Sequence, residues 1–142
     1  MKGRRMPKAA EQAVHTLTPD ACWDLLEGQS LGRLAIAAER VEIYPVNFLV
    51  QDRSIVFASG PGSKLMEIAQ DPSVAFEVDG EVGDDLWSVV IHGRAERMAF
   101  DADIESSGIL QHKGWHPTDK FSYVRISPLQ ITGRRFRRRE SS

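Results

Sequence analysis

Apolar and polar residues alternate with a period of two over most of this chain, and the interruptions mark its elements. The segment LGRLAIAAERVEIYPVNFLVQDRSIVFASG, residues 31–60, is rich in β-branched and aromatic residues and is punctuated near Glu39-Arg40 and at Asp52-Arg53. It predicts three antiparallel strands, about 31–38, 41–50 and 54–59. In the second, Val41, Ile43, Pro45 and Asn47 fall on one face, and Tyr44, Val46, Phe48 and Val50 on the other. Pro45 donates no ladder hydrogen bond, so that strand lies at an edge or bends there. Upstream, Thr18-Pro19-Asp20 reads as a helix start, with a capping hydroxyl and a proline suited to the first turn. PDACWDLLEG is then a short helix ending near Gly28.

The third strand runs out at Ala58-Ser59 into Gly60-Pro61-Gly62. Ser63 opens a helix whose Leu65, Ile68 and Ala69 share a face, and Asp71-Pro72 stops it. A strand, a glycine turn and a helix start can bring free N–H groups, the Ser63 hydroxyl and the Lys64 ammonium to one anion. An ordinary Gly-Pro-Gly turn is the competing reading of the same residues. SVAFEV (73–78) predicts a fourth strand with Val74, Phe76 and Val78 inward, and DGEVGDD an acidic loop. LWSVVIHGRAERM (86–98) predicts a fifth strand in which Gly93 marks a bulge or a close backbone approach. DADIESSGILQHKG is helical in part, GWHPTD is a loop, and FSYVRISPLQITGRRFRR forms two last strands broken at Ser127-Pro128. Six or seven strands with short helices, and no long crossover helices, favour a closed or nearly closed antiparallel barrel.

Composition narrows the class. The 142 residues, 42% hydrophobic, are enough for one ordinary domain with its own core. Three segments follow: a basic N-terminal stretch 1–14, a barrel 15–136 and a basic tail 137–142. No apolar run is long enough to span a bilayer, and MKGRRMPKAAEQAVH lacks the apolar core of a secretory signal, so a cytoplasmic location is expected. The single Cys22 makes no internal disulfide, and no CxxC pattern points to zinc.

The net charge of −2 conceals basic ends on an acidic body. Lys2, Arg4, Arg5 and Lys8 lie at one end and Arg134, Arg135, Arg137, Arg138 and Arg139 at the other, leaving 9 basic against 19 acidic side chains in residues 9–133. Terminal arginines neutralise phosphates, but the acidic body repels a nucleic-acid backbone, so no nucleic-acid partner is expected. The arginines are read instead as a solvated strand end, or as lying against the acidic body of this molecule or a partner. His112 and His116 are four apart, yet Gly114 and Pro117 argue against a helical turn aligning them, and no metal site is expected. His92 falls on a strand, facing solvent or a ligand.

In this order and spacing, YPVNFLV, FASGPGSKL, DPSVAFEVD, WSVVIHGRAERM and YVRISPLQITGRR resemble the FMN-binding split β-barrel proteins related to pyridoxamine 5'-phosphate oxidase, from about Thr18 to Arg135. The resemblance implies FMN at a homodimer interface and resolves the glycine turn in favour of a phosphate cradle. It places Ser63, Lys64 and Leu65 at the phosphate and helix start, and Pro45, Val46, Asn47 and Phe48 with Ala58 and Ser59 beside the ring and ribityl chain. Trp87, Ser88 and Val89 fall on the adjoining strand, and Trp115 covers the flavin from the second subunit or serves as a plain interface aromatic.

The chain also departs from the oxidase. It has Ser63-Lys64 where the oxidases carry an Arg-Lys pair, which removes one fork of donors and predicts weaker FMN binding. GRRFRRRESS stands where the oxidase has its Arg-x-His substrate motif. The closer resemblance is to small bacterial oxidase-like proteins, some of which use a flavin or deazaflavin to reduce diverse substrates. In such proteins the cofactor performs hydride transfer while the protein positions and tunes it, with Asn47 as a candidate lever. A binding or sensing protein for FMN, a deazaflavin or haem on the same fold is the alternative. A homodimer is expected because strand faces around Phe48, Phe76 and Trp87 would otherwise leave apolar patches exposed.

Overall fold

The computed structural model describes residues 14–59, 71–98, 107, 109 and 122–138. The elements are β1 (His15–Thr16), α1 (Pro19–Glu27), β2 (Leu31–Ala37), β3 (Val41–Gln51), β4 (Ser54–Ser59), β5 (Ser73–Val82), β6 (Asp85–Arg97) and β7 (Ser122–Arg137). The strands are antiparallel in the order β1-β7-β4-β3-β2-β5-β6, and a further β6–β7 pairing closes the last six into a barrel. β1 attaches outside the ring, with His15 opposite Arg135.

α1 forms where capping chemistry predicts it. Thr18 Oγ1 accepts from the Ala21 N–H at 3.2 Å, Pro19 occupies the first turn, and Gly28 ends the helix. Its Cys22, Trp23 and Leu26 are buried with the barrel core. Gly133 is required there, because a Cβ on it would lie 2.5 Å from Cys22 Sγ. The interior also takes the inward residues of β2 to β7, among them Leu34, Ile36, Ile55, Phe57, Val74, Ile91 and Ile126. Phe48 and Phe76 meet edge to face at 5.1 Å and 78°, a geometry worth about 0.5–1.5 kcal/mol beyond burial.

Several sequence expectations need correction. Phe48, Phe76 and Trp87 leave no exposed patch on a single chain; each is only 1% exposed, inside the barrel. DGEVGDD is mostly strand: β5 continues to Val82, Gly83-Asp84 makes the turn, and β6 starts at Asp85. The alternation persists through the acidic run, with Asp79 exposed and Gly80 giving room for the Trp87 ring, 2.6 Å from where its Cβ would be. Ser127-Pro128 does not break the last strand. β7 runs through it with a bulge: Gly93 faces Pro128 while His92 faces Gln130, so Leu129 is the extra residue. Pro128 is tolerated because β7 has left β4 after Ile126 and needs no donor on that side.

Gly93 does mark a close approach, since a Cβ there would lie 2.3 Å from the Ser127 carbonyl. Of the terminal arginines, Arg135 pairs with Asp85 at 2.8 Å and Arg138 with Glu81, against the acidic body of the same chain. The GPGSKL turn, most of DADIESSGILQHKG, and His112, Trp115 and His116 lie outside the described residues.

Candidate functional site

β3 and β4 start as a tight hairpin and then separate. Gln51 faces Ser54, Val50 faces Ile55, Leu49 faces Val56 and Phe48 faces Phe57, and pairing stops there. Among the described residues, β3 below Phe48 pairs only with β2, from Asn47 opposite Leu31 to Val41 opposite Ala37. Beyond Phe57, β4 pairs among them only with β7, Ala58 opposite Tyr123 and Ser59 opposite Ser122.

Backbone directions follow from alternation. The Phe48 N–H donates toward β2, to the Ser30 carbonyl at 2.9 Å, so Asn47 and Pro45 point their backbone groups the other way, into the gap. On β4 the same count turns Ala58 into the gap. The Tyr123 carbonyl accepts from the Met98 N–H at 2.8 Å, on the β6 side, as this count requires. The Phe48–Phe57 pair is closed by a last rung from the Ala58 N–H to the Asn47 carbonyl. Beyond that rung, the cleft is edged by the Asn47 N–H and by the Ala58 and Pro45 carbonyls. Pro45 lacks its N–H at a place where no ladder needs one.

The outer wall of the cleft is mixed. Pro45 and Asn47 are exposed, Ala58 and Ser59 half-buried. Ala58 packs on a second apolar cluster of Val56, Ile109 and Tyr123, with Leu49 and Met98, outside the barrel proper. Burial raises the Tyr123 hydroxyl above its ordinary pKa. Val46 is half-buried against the core, and Phe48 lies within it, so those two face the interior.

Trp87 and Val89 are each 1% exposed, with side chains in the core. Ser88 is half-buried on the outer face, between Asp79 and Arg134. Within one chain β6 is separated from β3 by β2 and β5, and from β4 by β7. Pro45–Phe48 and Ala58-Ser59 are thus brought together, and Trp87–Val89 are not. Ser63, Lys64, Leu65 and Trp115 lie outside the described residues. His92 is exposed.

One cluster escaped sequence reasoning. Arg33 is the cross-strand partner of both Pro45 and Glu77, and its Nη1 reaches Glu77 Oε1 at 2.6 Å and Asp79 Oδ2 at 3.3 Å. The Glu77 hydrogen bond and both carboxylates hold the guanidinium above its ordinary pKa. Alternation signals that Glu77 and Asp79 share a face of one strand. That Arg33 lies opposite is a fact of strand order. No group of three His, Cys, Asp or Glu among the described residues is placed to hold a metal, and no helix among them is long and apolar enough to cross a membrane.

A six-stranded barrel opened between two strands defines the split-barrel class. The chain belongs to the pyridoxamine 5'-phosphate oxidase family, whose model matches residues 18–135. It is similar to a proposed pyridoxamine 5'-phosphate oxidase from Corynebacterium glutamicum, with 34% identity, a TM-score of 0.77, and coverage of 91% of this chain and 97% of that one. It is also similar to the FAD-binding protein from Mycobacterium smegmatis, with 35% identity, a TM-score of 0.75, and coverage of 88% and 100%. A FAD-binding protein from Mesorhizobium loti matches at 26% identity and a TM-score of 0.74, covering 86% and 96%.

Proposed function

We propose that this protein is a homodimeric, cytoplasmic flavin-dependent oxidoreductase that holds FMN along the parting of β3 and β4. The observation that carries this reading is the parting itself. It leaves the Asn47 N–H and the Ala58 and Pro45 carbonyls directed into a cleft, and a ring edged with donors and acceptors fits such a set. Relatives described as FAD-binding support the flavin class.

When bound, the flavin supplies hydride transfer. The chain's own work is then positional. Asn47 and Ala58 hold the ring edge, with Val46, Phe48 and Ser59 behind and beside it. Ser63, Lys64 and Leu65, in the sequence just beyond β4, are the residues that would receive the phosphate. Pro45, Asn47, Ala58 and Ser59 carry no charge, so this wall hydrogen-bonds and orients the ring, and any proton taken up or released comes from water or the substrate.

In a homodimer the second copy would bring Trp115, Ser88 and the backbone of Trp87 and Val89 to the site, while the Trp87 and Val89 side chains stay in the core. The homodimer is supported by three large apolar side chains on the outer face of β2 and β3: Val41, Ile43 and Leu31, exposed by 71%, 66% and 53%. Light scattering is expected to give twice the chain mass. A mass near 15.9 kDa would overturn both the dimer and the shared site.

Absorbance and mass of the copurifying molecule test the cofactor, and separate FMN from FAD, a deazaflavin and haem. Anaerobic NADH or NADPH then tests turnover. Bleaching of the flavin band is expected; an inert yellow protein would make the chain a flavin binder, and failure to hold any flavin would overturn the reading.

A further inference from the structure

Beside the apolar patch, the outer face of β2 and β5 holds an unbalanced charge. Glu77 and Asp79 share one guanidinium nitrogen of Arg33, at 2.6 and 3.3 Å. Around Glu77, β2 presents Arg33 and Ala35, β5 presents Ala75 and Asp79, and β6 presents Val90 with Ser88 and His92 on either side. One strand further out are Pro45 of β3 and Arg134 of β7. Among the described residues Arg33 is the cation in contact, so within them the group carries one negative charge in excess.

We propose that two copies associate over this face with uptake of protons at Glu77, so that the homodimer tightens as pH falls. The inference rests on the homodimer reading above. A two-fold contact sets the face against itself, and this face offers both signs of charge, Arg33 beside Glu77 and Asp79, as a self-complementary surface requires. It also adjoins the cleft, through Pro45 opposite Arg33 and Asn47 opposite Leu31. Burying Leu31, Val41 and Ile43 drives the contact, but it strips water from two carboxylates for every guanidinium in each copy. Protonating one carboxyl relieves that cost. Glu77 is poised for it: burial, outweighing the Arg33 hydrogen bond, already holds its carboxyl above the ordinary value, and repulsion from Asp79 adds to this.

Sedimentation of dilution series of the full chain between about pH 5 and about pH 8 tests the proposal. The Kd is expected to fall roughly tenfold per pH unit for each proton taken up, with up to two protons per dimer. Glu77→Gln should dimerise tightly at both ends of the range and lose the slope, and His92→Gln should keep it. A wild-type dimer whose Kd ignores pH, or a slope that survives Glu77→Gln, overturns the proposal alone. A wild-type chain that stays monomeric throughout overturns the homodimer reading and this inference with it.

Discussion

The β5–β6 and β3–β4 hairpins are built from similar residues and end differently. β5 and β6 pair without a gap from Ser73 opposite Arg94 to Val82 opposite Asp85, and β6 is then paired on its other edge by β7. β3 and β4 pair only from Gln51 opposite Ser54 to Phe48 opposite Phe57, then leave for different neighbours. The first hairpin is fully paired along its length, with β2 and β7 on its outer edges, and contributes stability. The second leaves donors and acceptors facing a cleft, where a ligand can satisfy them. One barrel thus divides its work between a closed side and an open one.

Removing core volume on the closed side should have the largest effect. Trp87→Ala is expected to cost about 3–5 kcal/mol, read as a fall in urea midpoint; a loss under about 1 kcal/mol would mean that Trp87 is not the core residue its 1% exposure indicates. Proline then probes the two backbones directly. Val90→Pro, on a strand paired at both edges, should cost about 3 kcal/mol or more, since it deletes a ladder donor. Asn47→Pro deletes an N–H that faces the gap beyond the last rung and should cost clearly less than Val90→Pro while weakening flavin binding. Equal costs at the two positions would erase the distinction between the hairpins.

Next comes the phosphate end of the open side. Lys64→Ala should weaken FMN by about 1.5–3 kcal/mol without lowering the unfolding midpoint; fluorescence quenching titrations with FMN and riboflavin decide it, and a mutant that equals wild type would remove the cradle. Thr18→Ala removes the cap of α1, which closes over the core, and should cost about 1 kcal/mol, visible as a lower thermal midpoint.

The smallest effect belongs to the β3–β4 turn, where Asp52 and Arg53 sit at φ 51° and 54°. Arginine is disfavoured in that left-handed region. Arg53→Gly should therefore raise stability by up to about 1 kcal/mol, after losing an exposed Arg53–Asp20 ion pair of similar or smaller worth. A clear destabilisation would show that the ion pair between this turn and α1 matters more than the backbone.

Much of the fold is local and was legible. Thr18, Pro19 and Gly28 bound α1 through capping chemistry that acts within one helical turn. Strand limits near 31, 41 and 54 followed from alternation and turn residues, and the family motifs carried the barrel as a whole. Legibility failed where composition and periodicity disagreed: the acids of DGEVGDD suggested a loop, though every second position kept to its face, and Pro128 suggested a break that a single extra residue absorbs.

The sequence by itself determined which residues alternate, where the helix is capped, and which motifs mark the family, because these depend on neighbours a few positions apart. Tertiary structure alone decided which strand edges stay unpaired. Pro45 announces an edge in the sequence. That Asn47 and Ala58 stand where the two strands part depends on β3 choosing β2 and β4 choosing β7, pairings between residues far apart along the chain. The Arg33–Glu77–Asp79 group is of the same kind, since β2 and β5 are joined only by closing a long loop, and no local pattern encodes which cation meets which carboxylate.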